Sequence, residues 1–365
     1  MINDNLVIDA VCHAFDVSPE NRAHGVSAAD ARNLALKIHK NFHVPLESTS
    51  PGYMLEPDEF CTKWTAEALA SVYFEESDVD MLAYHSVLVP SLYQRRGMSP
   101  WEVGVDLKKL APERVILIGC VDPVAQTQEE TFQQMEDLVA DGAVAFKFFP
   151  TTGYFDREAN RLASMPLEDP EWAYPIYEKT LELGIDHLAF HRSQPFIGEI
   201  THPEEMATPA RAFPNVKFEM VHAGWALLEE TALVLRSRPN IWANLEGSIN
   251  FVVRQPRRFA MMIGTLLEAA GPDRLMFGSG CMLNHPQPII DAFLDFEMPE
   301  DLIQGYGFMP LTPEIKFKIL GGNMAALHGI DARKVLPKLA ADNWTRRNDD
   351  QPWKVQRELV AGASV

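Results

Sequence analysis

Cysteine is scarce in this chain. There are four in 365 residues, Cys12, Cys61, Cys120 and Cys281. None forms a C-x-x-C pair, and a chain of this length does not need disulfide staples, so a reducing cytoplasm is the expected compartment. Positive charge is also short. Thirty-two Lys and Arg stand against 51 Asp and Glu, for a formal net charge of −19, and no basic cluster resembles a phosphate-binding stripe. Nucleic acid and anionic membranes are therefore not expected partners, and the acidity reads as a solubilising surface. No apolar run approaches the ~20 residues of a membrane helix. The start, MINDNLVIDA, has neither the basic nor the apolar region of a signal peptide. No G-x-G-x-x-G follows the first apolar run, which removes the main support for an open, dinucleotide-binding sheet.

What is present is an ordinary globular composition, 47% hydrophobic and 23% charged, in a length that α/β barrels often take as one domain. Eight short β-branched-rich runs lie near 5–14, 79–89, 114–121, 143–150, 186–191, 216–222, 241–246 and 274–279. Helix-like stretches separate most of them. TQEETFQQMEDLVADG (127–142) has apolar residues at helical spacing and ends on Gly142. DPEWAYPIYEKTLELG (169–184) offers Asp169 as N-cap, Pro170 in the first turn and Gly184 at the end. The alternation predicts a distorted TIM (β/α)8 barrel over 1–330. The stretch from about 16 to 78, with Pro19, Pro45, Pro51 and Pro57, is expected to be an insertion over the barrel mouth. The polar segment 331–365, with Trp344 and Trp353, is expected to pack as a tail on the barrel or on a neighbouring subunit.

Chemistry-bearing side chains fall at the ends of these runs. The first run leads to His13, the fourth carries Lys147, the fifth ends at His191, the sixth at His222 and the seventh at Glu246. The last is followed by Cys281, Asn284 and His285. Residues at the C-terminal ends of parallel barrel strands converge on one mouth, which is the geometry of a metal-centred active site. Three histidines and a carboxylate suit Zn, Fe or Mn. Strand alternation would put Asp9, Val11 and His13 on one face, with Asp9 as a hydrogen-bonding partner of a histidine. Lys147, buried in AVAFKFFP, reads as a lysine of lowered pKa, as a carboxylated lysine bridging two metals, or as one paired with a carboxylate such as Glu246. Arg192 would hold a substrate carboxylate or a rim salt bridge. His85 reads as packed core; His24, His39, His43, His187, His202 and His328 as surface or structural; Cys12 and Cys281 as buried apolar cysteines.

The segments VDPVAQTQEETFQQMEDLVADGAVAFKFFP, YPIYEKTLELGIDHLAFH, FPNVKFEMVHAG, GPDRLMFGS and FKILGGNMAALHGID, in this order, resemble the amidohydrolase-related family, which includes aminocarboxymuconate-semialdehyde decarboxylase. The resemblance implies a divalent metal, zinc first, at the mouth of a distorted TIM barrel. It assigns His13 and His191 as ligands and His222 as acid/base or ligand. In that family the first strand offers two ligands one residue apart and the eighth ends Gly-Ser-Asp. Here Val11 and Gly280 stand at two of those positions, leaving Glu246 and His285 to complete the ligand set. Asn323 matches a C-terminal motif of the family and is expected to be structural.

The implied activity is hydrolysis or decarboxylation of a small carboxylate, lactone or amide, with His222, Lys147 and Arg192 as the catalytic set. LNHPQP after Gly-Ser-Gly, together with FHRS, also resembles the amidohydrolase-fold monooxygenases, which use a dinuclear Fe or Mn centre to N-hydroxylate small alkylamines. That alternative, or a supporting subunit with a degenerate site, implies a hetero-oligomer with a paralogous barrel; otherwise a homo-oligomer is expected.

Overall fold

The computed structural model describes residues 2, 4–94, 97–149, 155–156, 161–162, 164–194, 201–347 and 351–363. Eight strands run parallel in sequence order: β1 (Ile8–Cys12), β2 (Met81–His85), β3 (Val115–Val121), β4 (Ala145–Phe148), β5 (His187–His191), β6 (Lys217–Val221), β7 (Ile241–Asn244) and β8 (Leu275–Met276). Each pairs with the next. The eighth returns to the first: Ala10 N–H donates to the Phe277 carbonyl at 2.9 Å, Gly280 N–H donates to Val11 O at 3.1 Å, and Cys12 bridges Cys281. This is the expected (β/α)8 barrel.

Strand alternation divides the core. Ile116 and Ile118 join Ile8, Ala83, Ala145 and Met276 in a cluster inside the barrel, against Met324. Val115 and Leu117 belong to the larger cluster between strands and helices. Burying each such side chain contributes about 1.5–3 kcal/mol. The helices form where spacing and caps direct. In α1 (Gln128–Ala140), Thr131, Met135 and Leu138 face inward, and Thr127 with Glu130 makes a reciprocal capping box. The helix closes at Gly142, φ +103°. The helix expected from 169 begins later, as α2 (Tyr174–Glu182). Asp169 instead accepts from the N–H groups of Glu171 and Trp172, capping a separate turn ahead of it.

One local irregularity redirects the first strand. Its register against β2 slips between Asp9 and Cys12, the signature of a β-bulge. The extra residue breaks strict alternation, so Asp9, Val11 and His13 do not share a face. Val11 packs inside with Ala189 and Val221. Asp9 accepts from Ser279 N–H and Oγ and from the Tyr73 hydroxyl. It fastens the closing seam and, among the described residues, supports no histidine. Burial pushes its carboxyl up to about 7.

The segment after β1 carries α3 (Ala28–Phe42) and α4 (Ala66–Phe74). It touches the loops beyond β6, β7 and β8: Phe42 lies edge-on to Trp225, Arg254 donates to the Phe42 carbonyl, and His43 Nε2 bonds Met282 O at 3.2 Å. In the tail, Trp353 is fully buried beside Trp64 and His285, and Trp344 meets Phe74. No helix among the described residues is long and apolar enough to cross a membrane.

Candidate active site

The bulge and closing seam set His13. Its N–H donates to Cys281 O at 2.6 Å, and its Nδ1 donates to the His85 carbonyl at 2.9 Å. A carbonyl only accepts, so the neutral ring carries its proton on Nδ1 and presents Nε2 as a bare lone pair. Burial pushes His13 down to about 4. His85, at the end of β2, uses Nε2 on Ala10 O at 2.8 Å, and its buried Nδ1 has no partner. Burial, then the nearby charge of Lys147, holds it well below the usual histidine range.

His191 ends β5 and His222 follows β6. Their rings meet edge to face with centroids 4.1 Å apart, and His222 Nε2 lies 2.9 Å from His191 Nδ1. His222 adopts φ +72°, a left-handed conformation uncommon outside glycine. Strain of this kind persists where surrounding structure holds it, often at functional sites. His222 Nδ1 lies 3.2 Å from the Glu246 carbonyl and in close contact with Glu246 Oε2. Both partners accept only, so Nδ1 carries the proton of the neutral ring. Nε2 then accepts from His191 Nδ1–H, and His191, whose ring also has the Gln194 side chain as a partner, is the outer end of a Glu246–His222–His191 chain. Burial, then His222 and Lys147, keeps His191 well below its usual pKa.

Glu246 lies two residues past the end of β7 and is 1% exposed. The Oε2 contact with His222 is that of an ion pair without hydrogen-bond alignment, and neither carboxylate oxygen has an aligned donor. Burial alone would raise this carboxyl; His222, His13 and Lys147 outweigh it and hold it below the ordinary range. A Cβ at Gly280 would overlap the Glu246 carboxylate. Glu246 thus fills the space beside the position where the family pattern has an aspartate.

Lys147 projects from β4 at 1% exposure, with Nζ 5.4 Å from the centre of the Phe149 ring. Among the described residues it makes no hydrogen bond and no ion pair within 4 Å, so the alternative of direct pairing with Glu246 is not what the structure shows. Burial pushes it down to about 8, against the pull of Glu219 and Glu246. Arg192 is committed to the rim, with NH1 on His191 O at 3.0 Å and NH2 on Glu205 at 3.1 Å.

His285 is not brought to this cluster. Its Nδ1 accepts Gln287 N–H, capping the helix Pro286–Asp295, and its Nε2 faces Glu76 at 3.4 Å. Tyr53 and Trp353 pack on its ring. Both nitrogens are used, so it cannot reach back over the mouth as a ligand. His222 likewise spends both nitrogens within the chain of three, which suits it to moving a proton rather than to ligation. Among the described residues, no three His, Cys, Asp or Glu side chains converge in an arrangement that could hold a metal. His85 and Glu219 were not singled out from sequence as members of the interior polar set. Glu219 bonds His187 at 2.7 Å and Asn244 at 2.5 Å beneath the mouth. The rule that found His13, a polar residue ending an apolar run, also points to His85. Period-two alternation from Val221 finds Glu219.

Buried histidines, a carboxylate and a lysine thus lie near the C-terminal strand ends, the face on which parallel barrels carry their active sites. A family model described as Amidohydrolase matches residues 107–330, and the chain belongs to that family. Among solved structures, the chain is similar to an uncharacterized TIM-barrel protein from Bordetella bronchiseptica (17% identity, 92% of this chain and 99% of that one, TM-score 0.58). It is similar to a 2,6-dihydroxybenzoate decarboxylase bound to 2,6-dihydroxybenzoate (12% identity, 79% and 95%, TM-score 0.51). It is also similar to a 5-carboxyvanillate decarboxylase from Novosphingobium aromaticivorans with bound manganese (14% identity, 88% and 96%, TM-score 0.50). At these identities the likeness is one of fold. No curated protein sequence matches the chain.

Proposed function

We propose that this protein is a metal-dependent enzyme that hydrolyses or decarboxylates a small carboxylate or amide, with His222 as its acid/base. The observation that carries this reading is the chain Glu246–His222–His191, which lies in the same interior as the buried Lys147 ammonium, itself without an ion pair among the described residues. Nε2 of His13, Nε2 of His191 and the Glu246 carboxylate have the donor chemistry of a divalent-cation site and would have to close on the ion, since as placed no three described donors converge. Zinc is the ion assigned; when bound, it supplies a polarised carbonyl or a water acidic enough to ionise near neutrality.

The chain's own groups do the rest. Glu246 fixes the Nδ1–H tautomer of His222. For His222 Nε2 to take a proton and return it to the leaving carbon or heteroatom, the His191 Nδ1–H that it accepts must first give way; acid/base catalysis of this kind is worth about 10²–10⁴-fold. Lys147 is the better partner for a substrate carboxylate, because Arg192 already has Glu205 and a backbone carbonyl. Phe149 against His191 and Trp225 against His222 exclude water from the histidines.

The test is turnover on a panel of small aromatic and aliphatic carboxylates and amides, read as CO2 release and as hydrolysis, with wild type and His222→Ala. Loss of turnover with metal content unchanged is the expected result. Unchanged turnover in His222→Ala would refute the reading, and loss of the metal would make His222 a ligand. Turnover that requires oxygen, with two equivalents of iron or manganese, would replace it with the oxygenase alternative.

A further inference from the structure

The loops after β2 and β3 carry a second group of polar side chains, apart from the Glu246–His222–His191 chain. Together with α1 they enclose a cavity of about 710 Å³, within the size range of small-molecule sites. None of His13, Lys147, His191, His222 and Glu246 lines it. Leu88, Pro90 and Tyr93 from the β2 loop give it an apolar wall, and Asp122 follows directly on β3. On α1, Glu130, Gln133, Gln134 and Asp137 recur at helical spacing and share the face that closes it. The charged side chains in its wall are three carboxylates, with no lysine or arginine among the described residues.

Asp122 is the inner carboxylate. It is 2% exposed, whereas Glu130 and Asp137 are exposed. Its Oδ1 accepts from the N–H groups of Val124 at 3.1 Å and Ala125 at 3.2 Å, which shapes the turn leaving β3. One oxygen is enough for such a turn, and asparagine makes it as well. The second oxygen, Oδ2, is buried and has no donor among the described residues. The amides of the wall turn their nitrogens elsewhere. Gln126 donates to Gln134 Oε1, Gln134 to the Cys120 carbonyl, Gln133 to Asp137 and Gln94 to the Glu20 carbonyl. Burial pushes the Asp122 carboxyl up to about 6, so near neutrality it is mostly ionised. A buried charge without a partner costs free energy, and the turn does not require it. A cationic ligand would supply the counter-charge.

We propose that this cavity binds a small aliphatic dication, a diamine or an aminoalkylguanidine, with one charged end on Asp122 and the other on Asp137. The wall of Leu88, Pro90 and Tyr93 suits the methylene chain between the charges. Asp122 N–H lies 3.5 Å from Gln134 Oε1, which marks the inner end of the site. Asp137 stands three residues further along α1, about 4.5 Å of helix rise, within reach of a four-carbon chain. Glu130 is committed to the helix cap, on the Thr127 N–H and hydroxyl. Three carboxylates repel the small carboxylates proposed for the mouth, so the two sites select opposite charges. This site does not depend on the reaction proposed for the mouth.

Calorimetric titration of the full chain with putrescine, agmatine and butanoate tests it. Both dications should bind and butanoate should not. D122N keeps the turn's acceptor and the side-chain volume, so it should melt no lower than wild type. Its affinity for the dications should fall by about tenfold or more, the worth of a charge-assisted hydrogen bond. D137N, at the exposed end, should weaken binding only about threefold. No binding of either dication at millimolar concentration, or equal affinity in D122N, would overturn the proposal. A D122N chain that melts several degrees lower would make Asp122 a structural group and overturn its assignment. Arg95 and Arg96 follow Gln94 in the sequence and lie outside the described residues. Dication binding by R95A/R96A but not by wild type would make the counter-charge the chain's own and overturn the ligand.

Discussion

Two of the polar networks in this protein that pair a buried glutamate with a buried histidine, one under the tail and one at the barrel mouth, differ in how fully their atoms are used. In the tail network, Glu76 accepts from the N–H groups of Trp353 and Lys354, from Arg347 and from Ser71, and faces His285. His285 spends both nitrogens, and Trp353 seals the group from water while donating its Nε1–H to the Tyr53 carbonyl. At the mouth, Glu246 has no aligned donor, His85 Nδ1 has no partner, and Lys147 has no counter-ion among the described residues. Burying polar atoms without partners costs free energy, so they persist where something other than stability retains them. The tail network is built for cohesion, and the mouth keeps the unpartnered polar atoms that the proposed function would use.

Exchanging the roles by mutation would break this contrast. The largest expected effect is on activity at the mouth. His222→Ala should reduce kcat about 10³-fold while leaving the unfolding midpoint within a few degrees of wild type, measured by turnover and by thermal melting. Trp353→Ala should do the reverse. Removing a fully buried tryptophan should cost about 3–5 kcal/mol of stability, seen in denaturant unfolding, with turnover per folded molecule unchanged. Lys147→Met should raise KM for a carboxylate substrate about tenfold, the worth of one charge-assisted contact, with little change for its neutral amide, and should not lower the melting point. A stability loss there would mean that Lys147 belongs with the cohesive groups.

The smallest effect is a pH dependence of the tail side. His43 packs against Trp353, and burial pushes it down to about 3. The unfolded chain takes up this proton near pH 6.5, whereas the folded chain refuses it until about pH 3. The unfolded state therefore binds more protons throughout that window, and stability falls as pH falls from about 6.5 towards 3. His43→Gln should flatten that slope in a series of melts. Asp9 has the opposite sign. Its carboxyl is raised to about 7, so its contribution is complete below about pH 4 and is lost as pH rises through 7.

The eight strands were legible because parallel strands buried on both faces read as continuous apolar runs, and His13, His191, His222 and Glu246 were legible because they close such runs. Three features were not. The β1 bulge has no local marker in VIDAVCHAF, and one inserted residue was enough to send Asp9 to the seam. The position of His285 depends on Glu76 and Trp353, which are remote in sequence, so LNHPQP alone gave no sign of a cap. Gly280 read as a lost ligand; only the packing shows that it leaves space for Glu246. Residues that act by side chain left a trace in the sequence, and those that act by long-range packing or by absence did not.

The most direct test of the contrast is the metal content of wild type, Glu246→Gln and His285→Ala, purified side by side without chelator. The account predicts about one equivalent of divalent metal in wild type, its loss in Glu246→Gln and its retention in His285→Ala. Retention in Glu246→Gln together with loss in His285→Ala would place the site in the tail network and contradict the account.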